Sequence, residues 1–296
     1  MHPCLRGSAQ RFAVGGLAVG RADEHLRIAL RRGRDLRLRS PPGGILTTQL
    51  DAATEGLDST GSRATRVLGV LAIFGLAALA LFGLVLSPPD ASQGEVVRIL
   101  YVHVPSATFA YIGCFLTTIG SAMFLWRGSS WWELVAYASA EIATVFTAIV
   151  LVTGMIWGRP TWGVYWVWDA RLTSTSMLLL LLLGYLAVRR LPADHDVRTK
   201  RAAIIGLLLV PNVIIVRQSV QWWRTLHQKP TLLANGVGAK IEGLMLFSLF
   251  VGFIAIGLVF AWLLIHRFRL AWLEDQLDDA GLDAAIAERR AEGDVS

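Results

Sequence analysis

Six apolar runs dominate the chain from residue 67 onward. VLGVLAIFGLAALALFGLVL at 67–86 is the first. The others lie at about 104–126, 133–156, 173–188, 202–216 and 241–265. Most are long enough to cross the hydrocarbon core, which takes about 20 helical residues. Lipid offers a backbone no hydrogen bonds, so a spanning helix satisfies every N–H and C=O internally. The run at 202–216 is the weakest, because Pro211 and Asn212 interrupt it. A proline there is tolerated where neighbours take up the freed carbonyl. Composition agrees: 54% of residues are apolar and only 17% charged, against about 25% charged in soluble domains. The expectation is an all-α membrane protein, a six-transmembrane-helix bundle.

The flanks divide the chain further. Residues 1–62 are polar and Arg-rich, without the order of a signal peptide. They read as a basic extension, either a disordered cytoplasmic tail or the result of a misplaced start, the true one lying near Arg63 to Val67. Residues 63–269 form the membrane domain, and 270–296 a charged, helix-prone tail. With six spans, the amino and carboxyl ends share a side. The compact basic loop RRLPADHDVRTKR at 189–201, with Arg127, Arg267 and Arg269, marks that side as cytoplasmic. The segments at 87–103, 157–172 and 217–240 then face outward. The basic runs lack a base-stacking module, so topology explains them and nucleic acid does not. Cys4 and Cys114 form no CxxC or CxxCH, which leaves out a thiol redox motif and covalently attached haem.

The outer segment WGRPTWGVYWVWDARLT, residues 157–173, is the unusual one. Trp157, Trp162, Trp166 and Trp168 fall within it, beside Arg159, Asp169 and Arg171. A helix over 161–171, with Pro160 near its start, places Trp162, Trp166 and Asp169 on one face. Asp169 would then order a ring nitrogen, a histidine or an arginine. Gly158 and Gly163 suggest close approach of backbone to something. Two readings stand side by side: an aromatic belt that anchors the bundle, or a platform for a flat ligand.

Of the six histidines, His2 and His25 lie in the extension, His195 reads as solvated in the basic loop, and His266 as an interface anchor. His103, in RILYVHVPSATF, and His227, in QWWRTLHQKPT, fall near span ends beside solvent, on the face of the tryptophan segment. Zinc usually takes three or four protein ligands. Two imidazoles suit haem, whose porphyrin supplies the other four nitrogens. Indoles, including Trp222 and Trp223, suit its planar face, and the forks of Arg159, Arg171 and Arg224 suit its propionates.

WGRPTWGVYWVWDARLT resembles the tryptophan-rich "WWD" signature of haem-handling membrane proteins in cytochrome c maturation. With YVHVPSA and WRTLHQKPT, the stretch from about Val67 to Arg269 is similar to the haem exporter protein C (CcmC) family. The resemblance implies non-covalent haem b at the periplasmic face of the bacterial inner membrane, with His103 and His227 as axial ligands. It implies Trp157, Gly158, Trp162, Trp166, Trp168, Asp169, Arg171, Arg159 and Arg224 as the surrounding platform. It also implies partners: a periplasmic haem chaperone (CcmE-like), a small membrane helper (CcmD-like) and ABC transporter subunits (CcmAB-like).

Two other classes compete. An electron-transfer haem b subunit predicts histidine pairs inside the apolar runs, and the runs hold none. A small-solute transporter predicts polar residues at mid-span. Glu141 is the one such candidate; it either pairs with a neighbour or marks a path. No nucleophile–base pair stands in the outer segments, so the chain reads as a transfer platform and not as a catalyst.

Overall fold

The computed structural model describes residues 61–227 and 241–293. The extension at 1–60, with His2, Cys4 and His25, and the loop residues 228–240, with Lys229 and Lys240, lie outside the described residues. Helix α1 spans Arg63–Leu79 and continues as a π-helical stretch, Ala80–Leu86. A short 3-10 helix, Glu95–Ile99, leads into α2, Leu100–Arg127. Then come α3, Ser130–Trp162; α4, Ala170–Arg189; α5, His195–Leu207; α6, Leu209–Trp222; and α7, Gly243–Gly293. Among the described residues, the one β-type pairing is an isolated bridge between Asp90 and Gly94. Six stretches are long and apolar enough to cross a membrane, with α5 and α6 forming one of them. The all-α, six-span architecture expected from the apolar runs is therefore present. Each helix outruns its apolar run because the polar flanks are helical too.

Local chemistry sets the boundaries. Ser62 and Thr65 form a reciprocal capping box that starts α1. The fifth span breaks at Leu208, so Pro211 falls in the first turn of α6, where its missing N–H costs no helical bond. The Gly206 carbonyl beside the break accepts a hydrogen bond from Thr118 Oγ1 at 2.8 Å. Asn212 Nδ2 donates to the Ser174 carbonyl at 3.2 Å. The Thr118 bond re-satisfies backbone at the break, as a lipid-embedded break requires, and the Asn212 bond ties α6 to α4.

Helices α2 and α3 pack closely through small residues around Gly113 and Gly120. A Cβ on Gly113 would lie 2.8 Å from Ala143 Cβ, and one on Gly120 would lie 2.8 Å from the Trp132 carbonyl oxygen. Small residues let membrane helices approach this closely, where dispersion does the work that hydrophobic burial cannot do in lipid. Nearer Leu100 and Trp162 the same two helices bound a cavity instead.

At the end away from that cavity, charges tie the bundle together. Buried Glu133 on α3 accepts from Arg189 Nη2 at 2.7 Å and from Thr199 Oγ1 at 3.1 Å. His195 Nε2 lies 3.2 Å from the same oxygen, so this histidine is a partner of Glu133 and not merely solvated. One helical turn on, the Tyr137 ring lies between Arg189 and Arg267, 4.3 and 4.8 Å from its centre. Arg267 on α7 pairs with Glu141, and also with Glu274 at 3.4 Å. Of the two roles open to Glu141, pairing is the one observed.

Candidate functional site

The helix expected over 161–171 does not exist. Helix α3 instead continues through Pro160 to Trp162 and stops at Gly163, whose φ of +81° favours glycine. Residues 163–168 are non-helical. Asp169 then caps α4, its Oδ1 accepting the Leu172 N–H at 2.8 Å. Its job is therefore a backbone one, and its first partner is neither a histidine nor an arginine. The other oxygen, Oδ2, is buried and has no hydrogen-bond partner in the structure.

The break divides the tryptophans. Trp157 and Trp162 stay on α3 and line the main cavity, about 270 Å³, with Gly158. His103 enters it from α2, Arg171 from α4 and Arg217 from α6, while His227 follows α6. Its volume is at the lower edge of the roughly 300–1,000 Å³ typical of small-molecule sites. Trp166 and Trp168 pair edge-to-face at 5.4 Å but do not line it, and Trp168 is 82% exposed. Trp222 and Trp223 pair likewise at 5.7 Å and are exposed. Arg159 folds back onto the Gly163 carbonyl and over the Tyr165 ring. Arg224 lines a neighbouring cleft of about 240 Å³ with Asp169, Trp168 and Thr225.

His103 is not beside solvent: it is 8% exposed, in the first turn of α2. Its Nδ1 lies 2.9 Å from Thr153 Oγ1. The Trp157 ring meets its ring edge-on at 5.7 Å. A Cβ on Gly154 would lie 3.2 Å from its Cε1, so glycine leaves room for the imidazole. Trp157 in turn donates its indole N–H to Gln93 Oε1 at 2.8 Å. His227 is partly buried; Arg171 Nη1 lies 3.5 Å from its Nδ1, and the Trp162 ring stands 6.1 Å away. Thr153, Gly154, Gln93 and Arg217 escape the sequence reading. Thr153, Gly154 and Gln93 act through a partner on another segment, and Arg217 through the cavity it lines, which spacing along the chain does not reveal.

Two imidazoles, two indoles and two guanidinium groups thus converge on one cavity. Among the described residues, no three His, Cys, Asp or Glu side chains gather as a bare metal centre would need. The donor set fits a planar metallocycle that brings its own in-plane nitrogens and carries anionic side groups.

Comparison with known proteins agrees. The sequence profile of the family described as "Heme exporter protein C" matches residues 48–281. The Heme exporter protein C of Bradyrhizobium diazoefficiens is 38% identical over 189 residues, covering 64% of this chain and 71% of the relative. That of Escherichia coli strain K12 is 37% identical over 172 residues, covering 57% and 69%. A putative cytochrome c biosynthesis ccmC-like mitochondrial protein of Marchantia polymorpha is 38% identical over 168 residues, covering 56% and 71%. The match spans most of the membrane bundle and the whole tryptophan segment, and the chain belongs to the heme exporter protein C family.

Proposed function

We propose that the chain holds haem b non-covalently in the cavity between His103 and His227 and passes it on during cytochrome c assembly. The observation that carries this reading is the convergence of both histidines on one cavity, although 124 residues separate them in the sequence. Haem is cargo here. Its iron would take the two imidazoles, and its ring would lie against Trp157 and Trp162. Arg171 and Arg217 would meet the propionates, since guanidinium forks bind carboxylates well. Exposed Trp168 and half-buried Trp166, with Arg159, Asp169 and Arg224, would form the outer rim.

The rim suggests the recipient. An exposed indole and an arginine beside the cavity would meet a soluble protein arriving from outside the bilayer, a periplasmic haem chaperone of the CcmE-like kind. A small membrane helper (CcmD-like) and ABC transporter subunits (CcmAB-like) would complete the assembly. In this reading the cavity faces the periplasm, and both chain ends are cytoplasmic. Residues 63–269 are then the haem-handling unit. The carboxyl-terminal charged segment extends α7 out of the bilayer.

The transporter reading has less support, because Glu141 is neutralised by Arg267. The test is an optical spectrum of the purified chain beside His103→Ala and His227→Ala. A six-coordinate b-type spectrum that collapses in either variant is the expected result. A wild-type chain that stays colourless after haem addition would reject the proposal.

A further inference from the structure

Thr153 hydrogen-bonds to its own helix and to His103, and the helix side includes a longer contact to the Val150 carbonyl oxygen at 3.3 Å. Its Oγ1 lies 2.7 Å from the Ile149 carbonyl oxygen, one turn back in α3, and 2.9 Å from His103 Nδ1. A hydroxyl has one proton to give. If it goes to Ile149, then His103 Nδ1 must supply the proton of the second bond. If it goes to His103, the imidazole carries its proton on Nε2.

The other threonines of α3 decide between the two. Thr144 and Thr147 donate to carbonyls four residues back, Ala140 and Ala143, both at 2.7 Å. Neither has an imidazole among its hydrogen-bond partners in the structure. Thr153 keeps the same 2.7 Å, so the nearby ring has not drawn its hydroxyl away from the helix. We infer that Thr153 is a positioning residue: it accepts the Nδ1–H of His103, fixes that tautomer and leaves the Nε2 lone pair to bind iron. This rests on the haem reading above.

The ring is held on three sides by three residues of one helix. Thr153 takes Nδ1, Gly154 leaves clearance at Cε1, and the Trp157 ring meets it edge-on. Nε2 is the nitrogen that none of these contacts uses.

The acceptor's chemistry also suits cargo. Metal-binding histidines commonly give their second N–H to a carboxylate or backbone carbonyl, which raises the ligand's basicity. A neutral hydroxyl pulls less on that proton than a charged carboxylate does. His103 is therefore oriented firmly but donates modestly, as a site that releases its haem requires.

The test uses the full chain in nanodiscs with 15N-labelled histidine, beside Thr153→Val and Thr153→Ser. In the haem-free wild type, the His103 nitrogen shifts should report Nδ1–H. Thr153→Val should lose that single tautomer and weaken haem binding by about 10- to 100-fold. The iron reduction potential should rise with it, because the ligand donates less. Thr153→Ser should restore all three readouts, which a merely steric role for the threonine methyl would not allow. An Nε2–H tautomer in the wild type overturns the inference. So does a His103-dependent haem spectrum whose affinity and potential are unchanged in Thr153→Val. A wild type that takes up no haem sinks the haem reading instead, and the nitrogen shifts still decide the tautomer.

Discussion

Gln93 accepts the indole N–H of Trp157 through Oε1 at 2.8 Å, tying the loop after the first span to the wall of the cavity. Trp157 stands edge-on to His103, so a loop residue steadies the histidine at second hand. Gln93→Ala leaves a partly buried donor without its partner, which costs about 1–3 kcal/mol. Haem titration should show an affinity loss of at least about fivefold. An unchanged affinity would remove Gln93 from the site.

The same loop has a pH signature. The Asp90 carboxylate accepts from the Ser92 hydroxyl at 2.6 Å and from the N–H groups of Gln93 and Ser92 at 2.8 Å. These bonds, the Ser92 hydroxyl foremost, hold its pKa below the ordinary 3.8. A lowered folded-state pKa stabilises the turn above the ordinary aspartate range and is lost as pH falls through the lowered value. Trp157 fluorescence in the wild type should stay constant from neutral pH down to the ordinary aspartate range and change below it. Asp90→Ala should show the loosened signal at neutral pH.

Gly154 separates binding from folding. A larger side chain there meets the His103 ring, while the rest of α3 packs as before. Gly154→Val should keep its thermal midpoint within a few degrees and lose most haem binding. A variant that binds haem normally would show that His103 does not need its present position.

Asp169→Asn tests the rim. Asparagine caps helices about as well as aspartate, so α4 should persist. The change removes a negative charge from the cleft that Arg224 shares. Transfer of haem to the recipient should slow more than stability falls. Equal transfer rates would leave Asp169 with its capping role alone.

The far end should be silent toward haem. Glu133→Ala strands Arg189 in a buried setting, where breaking one side of an ion pair costs about 3–5 kcal/mol. Detergent-unfolding curves should shift accordingly, and haem affinity of the folded fraction should not. His195→Ala, half-exposed beside the same acid, should leave haem content unaltered; a loss there would count against the assigned topology.

Much of this is legible in the sequence. The six apolar runs give the six spans, because lipid leaves a long apolar run little choice but helix. His103 and His227 were selected by chemistry and do share a cavity. The helix that aromatic spacing suggests over 161–171 is absent, and the sequence carries the signs of the break. Gly163 follows a helical pattern as a C-terminal glycine does, and Asp169 precedes ARLT as an N-cap does. Aromatic periodicity outweighed them. Thr153, Gly154 and Gln93 were not legible, because each has meaning only against a residue on another segment, and Arg217 because it has meaning only against the cavity it lines. Glu133 was hidden for the same reason, since nothing near it in sequence announces Arg189 or Thr199.

The seam of small residues between α2 and α3 makes that helix pair behave as tongs. Gly113 and Gly120 form the pivot, about 10 Å long at 1.5 Å per residue. The arms reach on from Gly113 to Leu100, about another 20 Å, and the ion pairs of Glu133 and Glu141 lie on α3 alongside the pivot. A sideways shift across the pivot is therefore magnified toward the cavity, where His103 and Trp157 stand. The spacing of the cavity walls is set as much by glycines remote from the cavity as by the residues that line it.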